Sequence, residues 1–174
     1  PKSGTGRPRV PLTIDGQRRN VIGLSLAPGE VRAQRVSLAG LPIGDSIIHT
    51  STIPDRLISM ASRLLKDAIT PETLSIGLSV TGFVDPDAQE LLFSSVVPSN
   101  KVTSLKPIYD AAGPVPIVLD NDLHALSARW LLEQPHATQD VLLVQLDDGR
   151  VGASMLIEGK PNRGCVTAAN ELGH

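Results

Sequence analysis

Three consecutive polar residues directly after an apolar strand are the strongest chemical signal in this sequence. Asp120, Asn121 and Asp122 follow the run 116–119 and stand immediately before a helix-like pattern. Ligands of open α/β sheets bind beyond the carboxyl ends of the strands, so the pattern puts this triplet where a site is expected. A carboxylate there can accept a hydrogen bond from a substrate hydroxyl or serve as the base in phosphoryl transfer. An asparagine offers a sugar hydroxyl both a donor and an acceptor.

A structural explanation of the same triplet stays open. Asp122 could be the N-cap of the following helix and accept from its first free N–H groups, although one cap does not account for three polar residues. His124 lies in the first helical turn, and we expect it to be a partly exposed residue without a chemical role. His49 and His136 have no identifiable partner in the sequence and are assigned nothing.

A second polar pair stands in the stretch ANELGH. Glu171 and His174 are three residues apart, a spacing that lets both point one way if a helical turn forms. A carboxylate and an imidazole suit polyol recognition, and they equally suit one ligand of a metal site that is completed elsewhere. Cys165 could also bind a metal, but a lone cysteine is more often simply buried. We expect this pair to be half of a site whose remainder lies outside the sequence given.

The elements that must position these residues alternate between strands and helices. Three short strands with Gly and Pro turns, a meander, are expected between residues 21 and 51, followed by an amphipathic helix over 55–69. The segment 74–80 reads as a strand with small residues on one face. Residues 82–100 predict a hairpin excursion that turns at Asp85, Pro86 and Asp87.

The second half of the pattern completes the predicted sheet. A short helix is expected over 105–111, then the strand 116–119 and a helix that buries one apolar face. Two paired strands joined by the turn DDGR follow. The order predicts a mixed α/β sheet flanked by helices, with the opening strands of a second lobe after it. The apolar face predicted for the helix comprises Leu123, Leu126, Trp130 and Leu131.

Composition and charge narrow the classes of function. The chain is 41% hydrophobic and 20% charged, which is globular rather than disordered, and neither its net charge of -2 nor its 2% aromatic content favours nucleic-acid binding by this segment. No apolar run approaches the ~20 residues of a membrane span, and residues 1–10 lack the apolar core of a signal peptide. With a single cysteine no internal disulfide can form, which favours a reducing, cytoplasmic compartment.

Three segments of the sequence resemble one known family. LDNDLHALSARW, DDGRVGASMLIEGKPNRG and ANELGH, in that order and spacing, are similar to the ROK family (repressor, open reading frame, kinase) of sugar kinases and sugar-responsive repressors. The resemblance implies the bilobal actin-like, ribonuclease-H-like fold, with one full lobe over 21–136 and the start of a second over 137–174. Residues 1–20, which hold five basic residues against one acid, then resemble the linker after a winged helix-turn-helix that is absent from this chain.

The resemblance also assigns roles to individual residues. It implies that Asn121, Asp122 and Glu171 bind the sugar, the aspartate being the catalytic base in kinases of the family. It implies that His174 is a ligand of a structural zinc, and as part of the same motif we count it among the predicted sugar-site residues. The partner cysteines of that zinc would follow residue 174, so the metal site is expected to be incomplete in this sequence.

The sequence departs from the kinase pattern at both expected phosphate loops. Where kinases of the family carry an Asp followed by a Gly-Gly-Thr-Lys turn, this sequence has Ser25 and then 27–30, APGE. Pro28 removes an N–H donor and Glu30 adds negative charge where phosphates would lie. The second loop, normally rich in Gly, contains Asp147, Asp148 and Arg150. We therefore expect no ATP binding.

These departures favour the repressor branch of the family. The sequence predicts a sugar-sensing, cytoplasmic effector domain without kinase activity, acting on DNA through a domain absent from this chain and, by family resemblance, forming a homodimer. Two alternatives remain: an active sugar kinase with unusual phosphate loops, and a scaffold that binds neither sugar nor ATP. The sequence does not identify the sugar.

Overall fold

The computed structural model of the protein describes residues 15–16, 18–94, 102–134, 139–147 and 150–164. None of the helices in these ranges is both long and apolar enough to cross a membrane. In chain order the elements are β1 (Asn20–Ala27), β2 (Glu30–Ser37), β3 (Pro42–Thr50), α1 (Asp55–Ala68), β4 (Thr73–Val80), β5 (Phe83–Asp85), β6 (Glu90–Phe93), β7 (Thr103–Ser104), α2 (Lys106–Ala112), β8 (Ile117–Asn121), α3 (Asp122–Glu133), β9 (Val141–Asp147), β10 (Arg150–Ile157) and β11 (Lys160–Pro161).

The central sheet is mixed, as the sequence predicts. Its five strands lie in the order β3-β2-β1-β4-β8, with the antiparallel meander β1-β2-β3 on one side and the parallel pairs β1-β4 and β4-β8 on the other. Because β1, β4 and β8 are parallel, their carboxyl ends meet at one edge of the sheet. Ser25, Ser79 and Asp120 are register partners across these three strands, so the polar triplet is placed at that edge.

One face of the central sheet forms the core. Alternate residues of β1 and β4, including Leu24, Leu26 and Leu78, are at most 1% exposed and pack with the buried face of α1. The predicted amphipathic helix is therefore confirmed. Burying each leucine contributes roughly 1.5–3 kcal/mol, so this layer holds the sheet edge in place. The opposite face carries small residues such as Gly23 and Gly77, both exposed, as the alternation in 74–80 predicts.

The apolar face predicted for α3 is confirmed in part, since Leu123 is buried and Trp130 and Leu131 are half-buried. It is wrong for Leu126, which is 38% exposed, and the buried residues beside Leu123 are His124 and Ser127. On this side α3 packs against the second sheet, of order β11-β10-β9, where Ser127 donates to Ser154. A Cβ on Gly152 of β10 would lie 2.8 Å from a methyl group of Leu123, so the glycine permits the close approach.

The predicted hairpin excursion forms as β5 and β6, with β7 added as a third strand. Its turn is the predicted one, since the Asp85 carboxylate accepts hydrogen bonds from the backbone N–H groups of Asp87 and Ala88. The hairpin begins directly after Gly82, which has φ +134° and whose Cβ, if present, would lie 2.2 Å from the Phe93 carbonyl oxygen. Only glycine fits this backbone.

We predict that Gly82→Ala destabilises the protein by about 2–4 kcal/mol, because the methyl group meets backbone and φ is unfavourable for alanine. Gly77→Ala is the matched control, since nothing lies within 4 Å of its added Cβ. Urea unfolding of both variants measures the difference. Equal stability of the two would show that the β4–β5 turn is not constrained as described.

Candidate functional site

The candidate site is the junction of β8 and α3, where strand, cap and helix follow one another without a loop. Asn121 is the last residue of β8 and the N-cap of α3, with φ -66° and ψ 149°, and Asp122 is the first helical residue. The alternative prediction that Asp122 is the N-cap of α3 is therefore wrong, because Asn121 is the N-cap. An acidic residue in the first turn also interacts favourably with the positive end of the helix dipole.

The Asn121 side chain is buried, with 3% of the residue exposed, and it makes two bonds that fix the junction. Its Oδ1 accepts from the Leu123 backbone N–H at 2.8 Å, which is the capping bond. Its Nδ2 donates to the Gly82 carbonyl at 2.8 Å, which ties the junction to the turn after β4. Within the described residues, these two bonds use one of the two amide N–H groups and one of the two lone pairs of the amide oxygen.

The Asp122 carboxylate is half-buried and held from the neighbouring strand. Its Oδ2 accepts a hydrogen bond from the Thr81 hydroxyl at 2.6 Å, and its Oδ1 accepts from the Leu123 backbone N–H at 3.0 Å. Each oxygen keeps a lone pair for a further donor. Asp122 is therefore oriented by the protein and still able to accept a hydrogen bond from a hydroxyl.

Asp120 lies at the centre of a charged cluster that the sequence does not predict. Its Oδ1 accepts from the Asn121 backbone N–H and lies 2.9 Å from His124 Nδ1, while its Oδ2 accepts from Arg163 Nε at 3.0 Å and Nη2 at 2.6 Å. The expected partial exposure of His124 is wrong, because only 1% of the residue is exposed. Burial of the imidazole is compensated by its bond to Asp120.

Opposing effects act on the pKa of Asp120. Burial of the carboxyl raises the pKa, but hydrogen bonds from His124 and Arg163 and the positive charge of Arg163 outweigh it, so the pKa lies below its ordinary value. Asp120 is thus held as a carboxylate. A group whose pKa is lowered in the folded state adds stability above its unfolded pKa and loses it as the pH falls through the folded value.

Two further predicted positions cannot be located. Glu171 and His174, together with Cys165, lie outside the described residues, so their roles in sugar or zinc binding stay predictions. Within the ranges that the structure describes, no group of His, Cys, Asp and Glu side chains could hold a metal ion.

The first predicted phosphate loop is a tight hairpin turn. Ala27 pairs with Glu30, so only Pro28 and Gly29 connect β1 to β2, and the φ of +76° at Gly29 is typical of a type II turn. The Glu30 carboxylate lies 3.0 Å from the Arg32 guanidinium. An open depression of about 520 Å³ borders this turn, lined in part by Gly29 and by residues that follow β3, and neither Asn121 nor Asp122 lines it.

The second predicted phosphate loop lies at the β9–β10 turn, where Asp147 pairs with Arg150. The described residues stop on either side of Asp148, so the form of this turn stays a prediction.

Three residues of the junction escape sequence reasoning, each for a different reason. Thr81 could have been found, because it follows β4 at the same edge of the sheet where β8 ends. His124 stands four residues after Asp120, a spacing that predicts a contact only when both residues lie in one helix. Asp120 belongs to a strand, so the spacing does not predict their contact. Arg163 is 43 residues from Asp120 and has no local signal at all.

Comparison with known families and structures agrees with this fold. A profile of the ROK family matches residues 46–174, which is well over half of the chain. The chain therefore belongs to the ROK family. No curated protein sequence matches it significantly.

Solved structures with the same fold include both branches of the family. A ROK family transcriptional regulator, a homologue of the E. coli Mlc protein, superposes with a TM-score of 0.75 at 20% identity over 97% of this chain and 44% of its own. A ROK family glucokinase from Streptomyces griseus, in complex with glucose and AMPPNP, gives 0.65 at 20% identity over 89% and 50%. A ROK family protein from Streptococcus pneumoniae, in complex with sucrose, gives 0.68 at 18% identity over 88% and 51%.

This chain spans about half the length of each of these structures. At such identities the likeness establishes the fold, the mixed sheet with flanking helices of actin-like sugar kinases. It does not by itself separate a regulator from a kinase.

We predict that Asn121→Ala destabilises the protein by about 1–3 kcal/mol without any ligand, because it removes the cap of α3 and leaves the Gly82 carbonyl without its donor. Asn121→Ser, which keeps a capping oxygen, should recover part of the loss. Gln134→Ala, at the exposed far end of α3, is the control. Denaturant unfolding compares them, and an Asn121→Ala variant as stable as the control would remove the structural role given to this amide.

We further predict that Asp120→Asn flattens the acid limb of the stability curve. The parent protein gains stability from Asp120 above the ordinary aspartate pKa of 3.8 and loses it as the pH falls below that value towards the lowered folded pKa. Thermal unfolding from about pH 6 to about pH 2 measures both proteins. Parallel curves would mean that Asp120 is not held as a carboxylate by its neighbours.

Proposed function

We propose that this chain is the sugar-sensing effector domain of a ROK-type transcriptional regulator that has no kinase activity. The observation that carries the proposal is a contrast between two places at one sheet edge. The Asp122 carboxylate is oriented for a hydroxyl ligand, whereas the β1–β2 turn offers a phosphate no glycine-rich cradle. A protein that has the oriented carboxylate but lacks the phosphate cradle is suited to binding a sugar without phosphorylating it.

Asp122 is the principal sugar contact in this proposal. Its two oxygens are each held by one protein donor, so the geometry of their remaining lone pairs is fixed before a sugar arrives. Such preorganisation reduces the entropy cost of binding. Asn121 supplies at most one further N–H, because its other bonds hold the α3 junction. Glu171 and His174 complete the proposed site from the second lobe.

The same aspartate would serve as a base in a kinase, so Asp122 alone does not distinguish the two functions. The features that disfavour ATP lie on β1 and in the turn after it. Ser25 stands where kinases of the family carry an aspartate that serves the metal, and Pro28 cannot donate to a phosphate. The Glu30 carboxylate adds a negative charge at the turn, although Arg32 partly offsets it.

Regulation in this proposal is a matter of differential binding. A sugar that contacts Asp122 from one lobe and Glu171 from the other favours one arrangement of the lobes, and the basic segment 1–20 passes that bias to a DNA-binding domain outside this chain. Dimer formation and a structural zinc at His174 belong to the same proposal. The rival proposal is a sugar kinase, which predicts sugar-dependent ATP turnover.

We predict that Asp122→Ala in the full-length regulator weakens sugar binding by at least about tenfold and abolishes sugar-dependent release of operator DNA, because a charge-assisted hydrogen bond is lost. Asp122→Asn keeps the size of the side chain and guards against misfolding. Asp110→Ala on α2, which removes an exposed aspartate paired with Lys106, is the matched control. Unchanged operator release in the Asp122 variants, measured by fluorescence anisotropy, would overturn the proposal.

A further inference from the structure

We propose that the ion pair between Asp120 and Arg163 is a latch that holds the second sheet against the β8–α3 junction, which makes both residues positioning residues for sugar binding at Asp122. This inference rests on the function proposed above. It concerns how the parts of the site are assembled, and neither residue is among those predicted to touch the sugar.

The geometry of the pair points to a latch. Asp120 is on β8 of the central sheet, immediately before Asn121 and Asp122, whereas Arg163 follows β11 of the second sheet. Two guanidinium N–H groups reach the same carboxylate oxygen, at 3.0 and 2.6 Å. The pair therefore joins two sheets that α3 also bridges, and it does so at the carboxyl edge where the ligand is expected.

The surroundings of Asp120 make this pair stronger than an ordinary surface ion pair. The aspartate side chain is only 15% exposed, and its other oxygen is held by the Asn121 N–H and by His124, whose side chain is 2% exposed. The Asp120 carboxylate is therefore held by other partners even without Arg163, so little side-chain entropy of Asp120 is lost when the ion pair forms. Arg163 is 49% exposed, which leaves its end of the pair free to open.

The position of Arg163 in the chain explains what the latch would achieve. Arg163 lies two residues after β11, and the second sheet to which β11 belongs contacts α3. Anchoring Arg163 beside Asp120 therefore restrains the junction that carries Asp122, so fewer arrangements must be excluded when a sugar binds there. Loss of the anchor should weaken binding without removing any group that contacts the ligand.

The test is a double-mutant cycle in the full-length protein with Asp120→Asn, Arg163→Met and the two combined. Asp120→Asn keeps an oxygen for the Asn121 N–H and His124 but turns an amide towards Arg163. Arg163→Lys tests rescue by charge alone. Arg129→Met, which removes an exposed arginine paired with Glu133 on the outer side of α3, is the matched control.

The first readout needs no ligand. Amide hydrogen exchange is expected to rise in the peptides that contain residues 120–123 and 160–164 in both single variants, to rise no further in the double variant, and to stay unchanged in Arg129→Met. Exchange equal to that of the parent protein in these peptides would overturn the latch, whether or not a sugar is known.

The second readout is calorimetric binding of D-glucose, glucose 6-phosphate and N-acetylglucosamine. For a probe that the parent protein binds, each single variant should raise Kd about five- to tenfold, the double variant no more than either, and Arg163→Lys should recover part of the loss. Additive effects, or an unchanged Kd, would contradict the latch. Absence of binding by the parent protein would instead count against the proposed function, and the exchange experiment would still decide about the latch.

Discussion

The buried amide of Asn121 is the constraint on which the rest of the site depends. One side chain caps α3 through its oxygen and holds the turn after β4 through its nitrogen, so a strand, a helix and a neighbouring turn share a single anchor. Asp122 can be oriented by Thr81 only because that turn is held against β8. The constraint extends to Gly82, whose backbone admits no side chain and whose carbonyl receives the amide.

A buried polar anchor of this kind is stable only when its partners are all present. Among the described residues no buried side-chain nitrogen or oxygen lacks a partner, and the junction contributes several of the long-range bonds that achieve this. The consequence for function is a rigid floor at the sheet edge. Asp120 bonds Arg163 beside the second sheet, Asp122 bonds Thr81, and the bonds of Asn121 fix the junction that carries both. The three polar residues, which the sequence presents as one candidate site, therefore have three separate structural roles.

Much of the fold could be predicted because local pattern and tertiary structure agree. The alternation in 74–80, the amphipathic period of α1 and the turn at Asp85 each specify their element without help from distant residues. The buried face of α3 could not be predicted, because a glycine on β10 and a serine contact with Ser154 decide which side is covered. The burial of His124 could not be predicted either, because its partner, Asp120, lies on the preceding strand. The ion pair to Arg163 depends on folding of a second sheet and leaves no trace in nearby sequence.

Family membership and fold leave the choice between sensing and catalysis to a few residues. Both a regulator and a glucokinase superpose on this chain. In the proposed function the distinction rests on Ser25 of β1 and on Pro28 and Glu30 in the turn that follows, where the chain reverses through two residues and Pro28 has no N–H to donate to a phosphate.

The most direct test of the central claim is calorimetric titration of the full-length protein with a non-hydrolysable ATP analogue and, separately, with a panel of sugars and sugar phosphates. The account predicts that at least one sugar or sugar phosphate binds and that the nucleotide does not. Nucleotide binding at cellular concentrations would contradict the proposed lack of kinase activity and would favour the sugar kinase alternative.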